Sequence, residues 1–178
     1  MTPRRALLPL ALLAAVGAVA GCVSSERGAA RCRADQRLGI VAQSVPAAAY
    51  VPCLDVLPAG WEVRSFDVDD AGTDYVLRSD RDPHDVRVEL RDTCDVTGAV
   101  PVAPHDTGVR SYQRTESIAP RYAGWLFDVF PGGCVTYRFD FERGEHIRLL
   151  DELEQALNLF SRRELRQALD EKFGITLD

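Results

Sequence analysis

Polar and apolar residues alternate most strictly over residues 85–92. Val86, Val88 and Leu90 fall on one side of the chain and Arg87, Glu89 and Arg91 on the other. A period of two marks a strand with one buried face. Residues 61–68 and 74–79 carry the same signature more loosely, with polar turns at 69–73 and 81–84. The phase slips at Ser65-Phe66, as it does where a bulge inserts one extra residue. These three runs predict an antiparallel meander.

The densest strand signal lies further on. Residues 124–130, the turn Pro131-Gly132-Gly133 and residues 134–142 predict a hairpin. Val135, Tyr137, Phe139 and Phe141 share a face of its second arm; Trp125, Phe127 and Val129 share a face of its first. Aromatic and β-branched residues at this density are expected at the centre of the core. Residues 110–116 read as a further strand, in a stretch from 93 to 121 broken by Gly98, Pro101, Pro104, Gly108 and Pro120.

Beyond residue 142 the spacing changes to threes and fours. Ile147, Leu150, Leu153, Leu157 and Phe160 predict one amphipathic helix. Ser161 with Glu164 forms a capping box for a second, with Leu165, Ala168, Leu169 and Phe173 on its apolar face and Gly174 as its stop. Upstream, Leu38–Ala42 reads as a short strand and residues 46–58 as a short helix interrupted at Pro52. The expected class is α+β, an antiparallel sheet of about five strands with two C-terminal helices on one face. A faint echo, Ala59-Gly60-Trp61 and Ala123-Gly124-Trp125, raises the question of an internal repeat.

The first residues fit no folded element. Arg4-Arg5 precedes an uncharged apolar run from Ala6 to Ala20, which is too short to span a bilayer comfortably. Charge, a short apolar run and then small residues is the layout of a cleaved export signal. At its end stands Val19-Ala20-Gly21-Cys22, which resembles the lipobox of bacterial lipoproteins, with Val where that motif favours Leu. The resemblance covers the N-terminus alone. It implies cleavage before Cys22, acyl chains on that cysteine (palmitate among them), and a place on the extracytoplasmic face of the cell membrane. Two or more chains anchor firmly. Both general secretion and the twin-arginine route remain open for Arg4-Arg5. The expected organisation is a signal peptide over 1–21, the lipidated cysteine and a flexible tether over 22–36, and a single α+β domain over 37–178.

Charge and cysteines fit that address. The chain has 21 Lys and Arg against 27 Asp and Glu. Residues 1–21 hold two Arg and no acid, so the mature chain carries 19 against 27, a net of −8. Such a domain is poorly suited to nucleic acid. Lys172 is the only lysine, which removes Ser-x-x-Lys and phosphate-loop chemistry. With Cys22 reserved for lipid, Cys32, Cys53, Cys94 and Cys134 form an even set suited to two disulfides in an oxidising compartment. Of the three possible connectivities the expected one pairs nearest neighbours, Cys32–Cys53 and Cys94–Cys134.

Candidate chemistry is thin. Asp67-Val68-Asp69-Asp70-Ala71-Gly72 has the acids and glycine that open a calcium loop, but Arg78 stands where the closing Glu belongs, and an acidic hairpin turn is the expectation. Pro-His-Asp occurs at His84-Asp85 and His105-Asp106; with His146 these are all the histidines. Drawn together, two His and two Asp could bind zinc or move a proton, but turn chemistry explains each alone. Trp61, Trp125, Tyr75, Tyr112 and Tyr122 could line a groove, though aromatics at strand spacing serve the core first. No catalytic residue, metal ligand or cofactor is expected. The expected function is a lipid-anchored envelope protein that binds or scaffolds another envelope component. The alternatives are a hydrolase-type enzyme or metal-binding protein using His84 and His105 with nearby Asp, and a small ligand-binding lipoprotein serving a transporter.

Overall fold

Two meanders meet edge to edge in the computed structural model, which describes residues 33–54, 56–104, 106–142, 144 and 146–177. The first comprises β2 (Trp61–Asp69), β3 (Gly72–Ser79) and β4 (Asp85–Arg91). The second comprises β5 (Val100–Val102), β6 (Arg110–Ser117), β7 (Arg121–Phe130) and β8 (Gly133–Glu142). They join through β4 and β8, giving one antiparallel sheet in the order β2-β3-β4-β8-β7-β6-β5. A second, two-stranded sheet pairs β1 (Tyr50–Leu54) with β9 (Leu157–Ser161). Three helices complete the fold: α1 (Gln36–Ser44), α2 (His146–Ala156) and α3 (Arg162–Phe173). The class is α+β with antiparallel sheets; the described residues form seven strands plus two rather than about five, and α1 joins two C-terminal helices whose bounds differ from those expected.

The inner face of the large sheet carries Tyr75 and Leu77 from β3, Val86, Val88 and Leu90 from β4, and Val135, Tyr137, Phe139 and Phe141 from β8, all buried. The small sheet and the helices lie over it. Ser44 in α1 meets the Thr73 hydroxyl at 2.9 Å. The Tyr50 ring of β1 packs edge-on against Phe130 with centroids 5.4 Å apart. The Trp61 indole donates to Glu152 of α2 at 2.8 Å. Leu165 and Leu169 of α3 are fully buried.

Several expectations need correction. Leu38–Ala42 is helical, not a strand. Asp35 caps it, its carboxylate accepting from the Leu38 amide at 2.9 Å. Leu38, Val41, Ala42 and Val45 are buried and fall at helical spacing. The helix therefore starts at Gln36, inside the stretch expected to be tether. Residues 50–54 are a strand rather than a helix; Pro52 is tolerated because a two-stranded sheet leaves its nitrogen without a required partner. The first C-terminal helix stops at Ala156, and Leu157 and Phe160 belong to β9. Its buried side is Leu149, Leu153 and Ala156, while Ile147 is 67% exposed. In α3 the Ser161 hydroxyl accepts from the Glu164 amide and Gly174 closes the helix at φ 62°, as expected; Phe173 is exposed rather than on the apolar face. The expected bulge is present, with pairing to β3 shifting between Val63 and Ser65. The Ala-Gly-Trp echo has no structural counterpart: Trp61 opens an edge strand, whereas Trp125 sits inside β7.

The β7–β8 hairpin fixes the register that matters most for the outer face. Phe130 pairs with Gly133 across Pro131-Gly132, the Pro-then-Gly order of a type II turn. Gly132 has φ 74°, and a Cβ there would fall 1.8 Å from the Ala47 carbonyl oxygen, so only glycine fits. This turn places Leu126 opposite Tyr137 and Phe127 opposite Thr136. Trp125, Phe127 and Val129 therefore lie on the outer face, opposite the core-facing side of β8. Phe127 is buried as expected, but on this face and apart from the main core, and Trp125 and Val129 are only half-buried, because the turn register lets the other parity of β7 face inward.

Candidate functional site

A row of side chains crosses the outer face at right angles to the strands. The registers place Val76 beside Arg87, Arg87 beside Arg138, Arg138 beside Trp125 and Trp125 beside Arg114. Five adjacent strands, β3, β4, β8, β7 and β6, contribute one residue each. The Arg114 guanidinium carbon lies 4.3 Å from the centroid of the Trp125 ring, and that of Arg138 lies 5.7 Å away. Both are cation–π distances.

The far end of the row is roofed. Cys94 is disulfide-bonded to Cys134 of β8, with Cα atoms 6.1 Å apart. This holds residues 92–99 over the outer face. Arg114 donates to the Thr97 carbonyl at 3.0 Å. Hydrogen bonds from Thr97 hold the Asp95 carboxyl below its ordinary range, and Arg114 adds to the effect. Arg114 is therefore spent on structure.

The near end opens into a groove of 260 Å³ lined by Val76, His84, Asp85, Arg87, Arg138, Phe139 and Asp140. Both carboxylates in it are already held. Asp85 accepts from Arg78 at 2.6 Å, and Asp140 accepts from Arg121, whose Nε lies at 2.8 Å and whose second nitrogen also bonds it. Arg87 has only a 3.9 Å approach to Glu89, beyond hydrogen-bond length. Arg138 is exposed and leans on Trp125.

His84 stands at the groove with its ring oriented from behind. The buried Asp82 carboxylate lies 3.0 Å from His84 Nδ1 and also accepts the amides of His84, at 2.9 Å, and Glu142, at 2.7 Å. Nε2 is then the ring nitrogen left for a ligand. The acid beside this histidine in space is Asp82, not the sequence neighbour Asp85.

The other expected residues disperse. His105 lies outside the described residues, as do Cys22 and Cys32. Asp106 accepts the Thr107 amide at 2.7 Å in a loop whose Thr107 carbonyl meets Tyr50, on the inner side of the sheet. His146 packs on Tyr122 with ring centroids 5.0 Å apart. Asp69 accepts the amides of Ala71 and Gly72, an acidic turn rather than an ion loop. Among the described residues no three His, Cys, Asp or Glu side chains gather as a metal site. Of the five aromatics, Trp61 and Tyr75 are buried in the core, and burial raises the Tyr75 hydroxyl well above its ordinary range. Trp125 and Tyr112 lie on the outer face. Cys53 is also disulfide-bonded; its expected partner, Cys32, falls outside the described residues.

One polar cluster in the core escaped the sequence reading. Asp128, on the inward parity of β7, accepts from Ser111 at 2.5 Å and from Tyr137 at 3.0 Å. Burial, then the adjacent carboxylate, pushes the Tyr137 hydroxyl up. All three residues are buried, so this is a satisfied internal network. The signal available beforehand was a lone Asp amid the apolar run of β7.

No protein family model matches this chain, and no curated protein or solved structure resembles it significantly. The assignment of function therefore rests on the outer face itself.

Proposed function

We propose that the chain is a lipid-anchored module on the extracytoplasmic face of the cell membrane, which binds another envelope component through the outer face of its large sheet. The address follows from the lipobox-like Val19–Cys22 and is supported by the Cys94–Cys134 disulfide, which suits an oxidising compartment. Among the described residues no helix is long and apolar enough to cross a membrane; in this reading the acyl chains on Cys22 supply the anchor. The observation that carries the binding reading is the Arg87–Arg138–Trp125 row. A domain of net charge −8 presents two guanidinium groups without a short hydrogen-bonded ion pair, and a half-buried indole, side by side on the sheet face opposite its helices. Arg and Trp are the residues most often dominant at interfaces. Charge complementarity makes the partner one that displays oxyanions. The groove lining contains no Ser, Cys or Thr, and its two carboxylates are already held by Arg78 and Arg121, which favours binding over the hydrolase alternative.

Two measurements test this. Cys22→Ala is expected to abolish incorporation of labelled fatty acid and release the protein from membranes; a variant that stays lipid-labelled and membrane-bound sinks the anchor. For the face, a photo-crosslinking residue is placed at Val76 or Glu89, on the outer face, or at Arg163 or Lys172, on α3. In intact cells a discrete adduct is expected from the first pair and none from the second. Adducts from α3 alone, or from neither pair, overturn the reading.

A further inference from the structure

We propose that Arg87, Arg138 and His84 form a site for a compact oxyanion, a carboxylate or phosphate group displayed by the partner. This deepens the reading of the outer face and rests on it. Arg87 and Arg138 are direct cross-strand partners in the middle of the sheet. Like charges placed directly opposite repel, and neighbouring carboxylates usually offset the cost. Here the two carboxylates that line the groove are taken: Asp85 is held by Arg78 and Asp140 by Arg121. Counting the groove with these two partners, four guanidinium groups face two carboxylates. A third acid of this face, Glu89, stands 3.9 Å from both Arg87 and Arg91 and closes a hydrogen bond with neither.

Each guanidinium can offer paired N–H donors to one oxyanion. An anion between them would remove the repulsion and collect donors from two strands. His84 Nε2, which the Nδ1–H bond to Asp82 leaves as an acceptor, would take a hydrogen bond from a hydroxyl of the anion's carrier. Val76 supplies an apolar wall, so the 260 Å³ groove admits a small charged group with some carbon attached. The occupant is thus an oxyanion on a compact carrier, such as a sugar acid or a sugar phosphate group.

The repulsion yields a signature that a structural role would not give. Arg87 is 57% exposed and makes no close ion pair, so its removal should leave the ligand-free protein as stable as before or more stable. The test is calorimetric titration of the full chain in detergent, at fixed ionic strength, with inorganic phosphate, with glucuronate and with neutral glucose. Saturable binding is expected for phosphate or glucuronate and none for glucose. Whichever anion binds more tightly identifies the class. Arg87→Gln and Arg138→Gln should each weaken it at least tenfold. Arg64→Gln, on the edge strand and paired with Glu62, should leave it unchanged. In thermal melts without anion, Arg87→Gln should match or exceed the wild type. Added anion should raise the melting temperature of the wild type and not of Arg87→Gln. Equal binding by wild type and both groove variants, or no saturable binding of either anion, overturns the site. The crosslinks then separate the two readings. Adducts at Val76 and Glu89 that persist in Arg87→Gln/Arg138→Gln would sink the oxyanion site and leave the face reading standing. No adduct in the wild type would sink both.

Discussion

Replacing both Cys94 and Cys134 with Ala is expected to lower stability by about 4 kcal/mol. The two lie 40 residues apart, and closing a loop of that length in the unfolded chain gives about 3.9 kcal/mol by loop entropy. The ring they close contains β5, β6 and β7, the whole second meander before its last strand. Without the bond the unfolded chain regains that freedom, and the loop over Arg114 loses its attachment to β8. For a domain of this size the loss corresponds to a fall in melting temperature of roughly 10 °C. The check is a thermal or urea melt of the double variant against the wild type, both without reductant. Reductant would confound the comparison by also opening the bond at Cys53. A loss under about 1 kcal/mol would show that the loop carries no such constraint in the unfolded state. The fluorescence of Trp125 should change with it, because residues 95 and 97 hold Arg114 over that ring.

How much of this could be read beforehand depended on how local the cause is. The β4 alternation was legible because one face of that strand is apolar, and the β7–β8 hairpin because β8 alternates likewise and the turn carries its own chemistry in Pro131-Gly132. The parity of β7 was not legible. Both of its faces are apolar, with Leu126 and Phe130 inward and Trp125, Phe127 and Val129 outward, so hydrophobicity could not choose and the turn register did. α1 was missed because Gly39, Ile40 and Val41 resemble strand residues. Its signals were present in the Asp35 cap and the Leu38, Val41, Ala42, Val45 spacing. Gly39 is there for packing: a Cβ would sit 3.2 Å from Leu169 of α3. β9 was hidden by distance. Leu157 and Phe160 continue the helical period, but their partner strand lies about a hundred residues away, at Leu54 and Val51. A window along the chain cannot see a pairing of that range.

The edges of the sheet follow the same logic. β2 is long and leaves Val63 and Phe66 44% and 39% exposed, the profile of an edge that invites another strand. Its bulge beside Arg64 and its charges at Glu62, Arg64, Asp67 and Asp69 oppose that. At the other edge β5 is three residues long with Pro101 in the middle. With both edges blunted, edge-to-edge strand pairing is opposed, which fits the proposal that a partner docks on the outer face. Its site was illegible for a related reason. Arg87, Arg138, Trp125 and Arg114 are scattered over 52 positions of sequence, and only the strand order lines them up. His84 stood out in the sequence with Asp85 as its companion; the buried Asp82 two residues earlier holds it instead.

Glu152→Gln is expected to destabilise the protein by about 2 kcal/mol at pH 7, with an effect that fades in acid. Glu152 of α2 accepts from Arg81 at 2.8 Å through one oxygen and from Arg81 and Trp61 through the other. Arg148, one turn earlier, adds a bond at 3.1 Å. Its side chain is only 18% exposed, and the Arg81 bonds are the main cause that holds its carboxyl down at about 2. A carboxyl depressed on folding contributes stability that is fully present above its unfolded value, about 4.5, and lost as pH falls through 2. Every tenfold drop in proton affinity on folding corresponds to about 1.4 kcal/mol, and partial exposure reduces the total to about 2. Urea melts of wild type and variant at pH 7, 4, 3 and 2.5 should therefore converge from the first to the last. A gap that stays constant would assign the loss to packing and not to charge. The consequence reaches the outer face through the chain itself. Glu152 grips Arg81, Asp82 follows, and Asp82 orients His84 at the groove. Loosening the grip from the helix side should therefore weaken anion binding in the groove, although Glu152 does not line it.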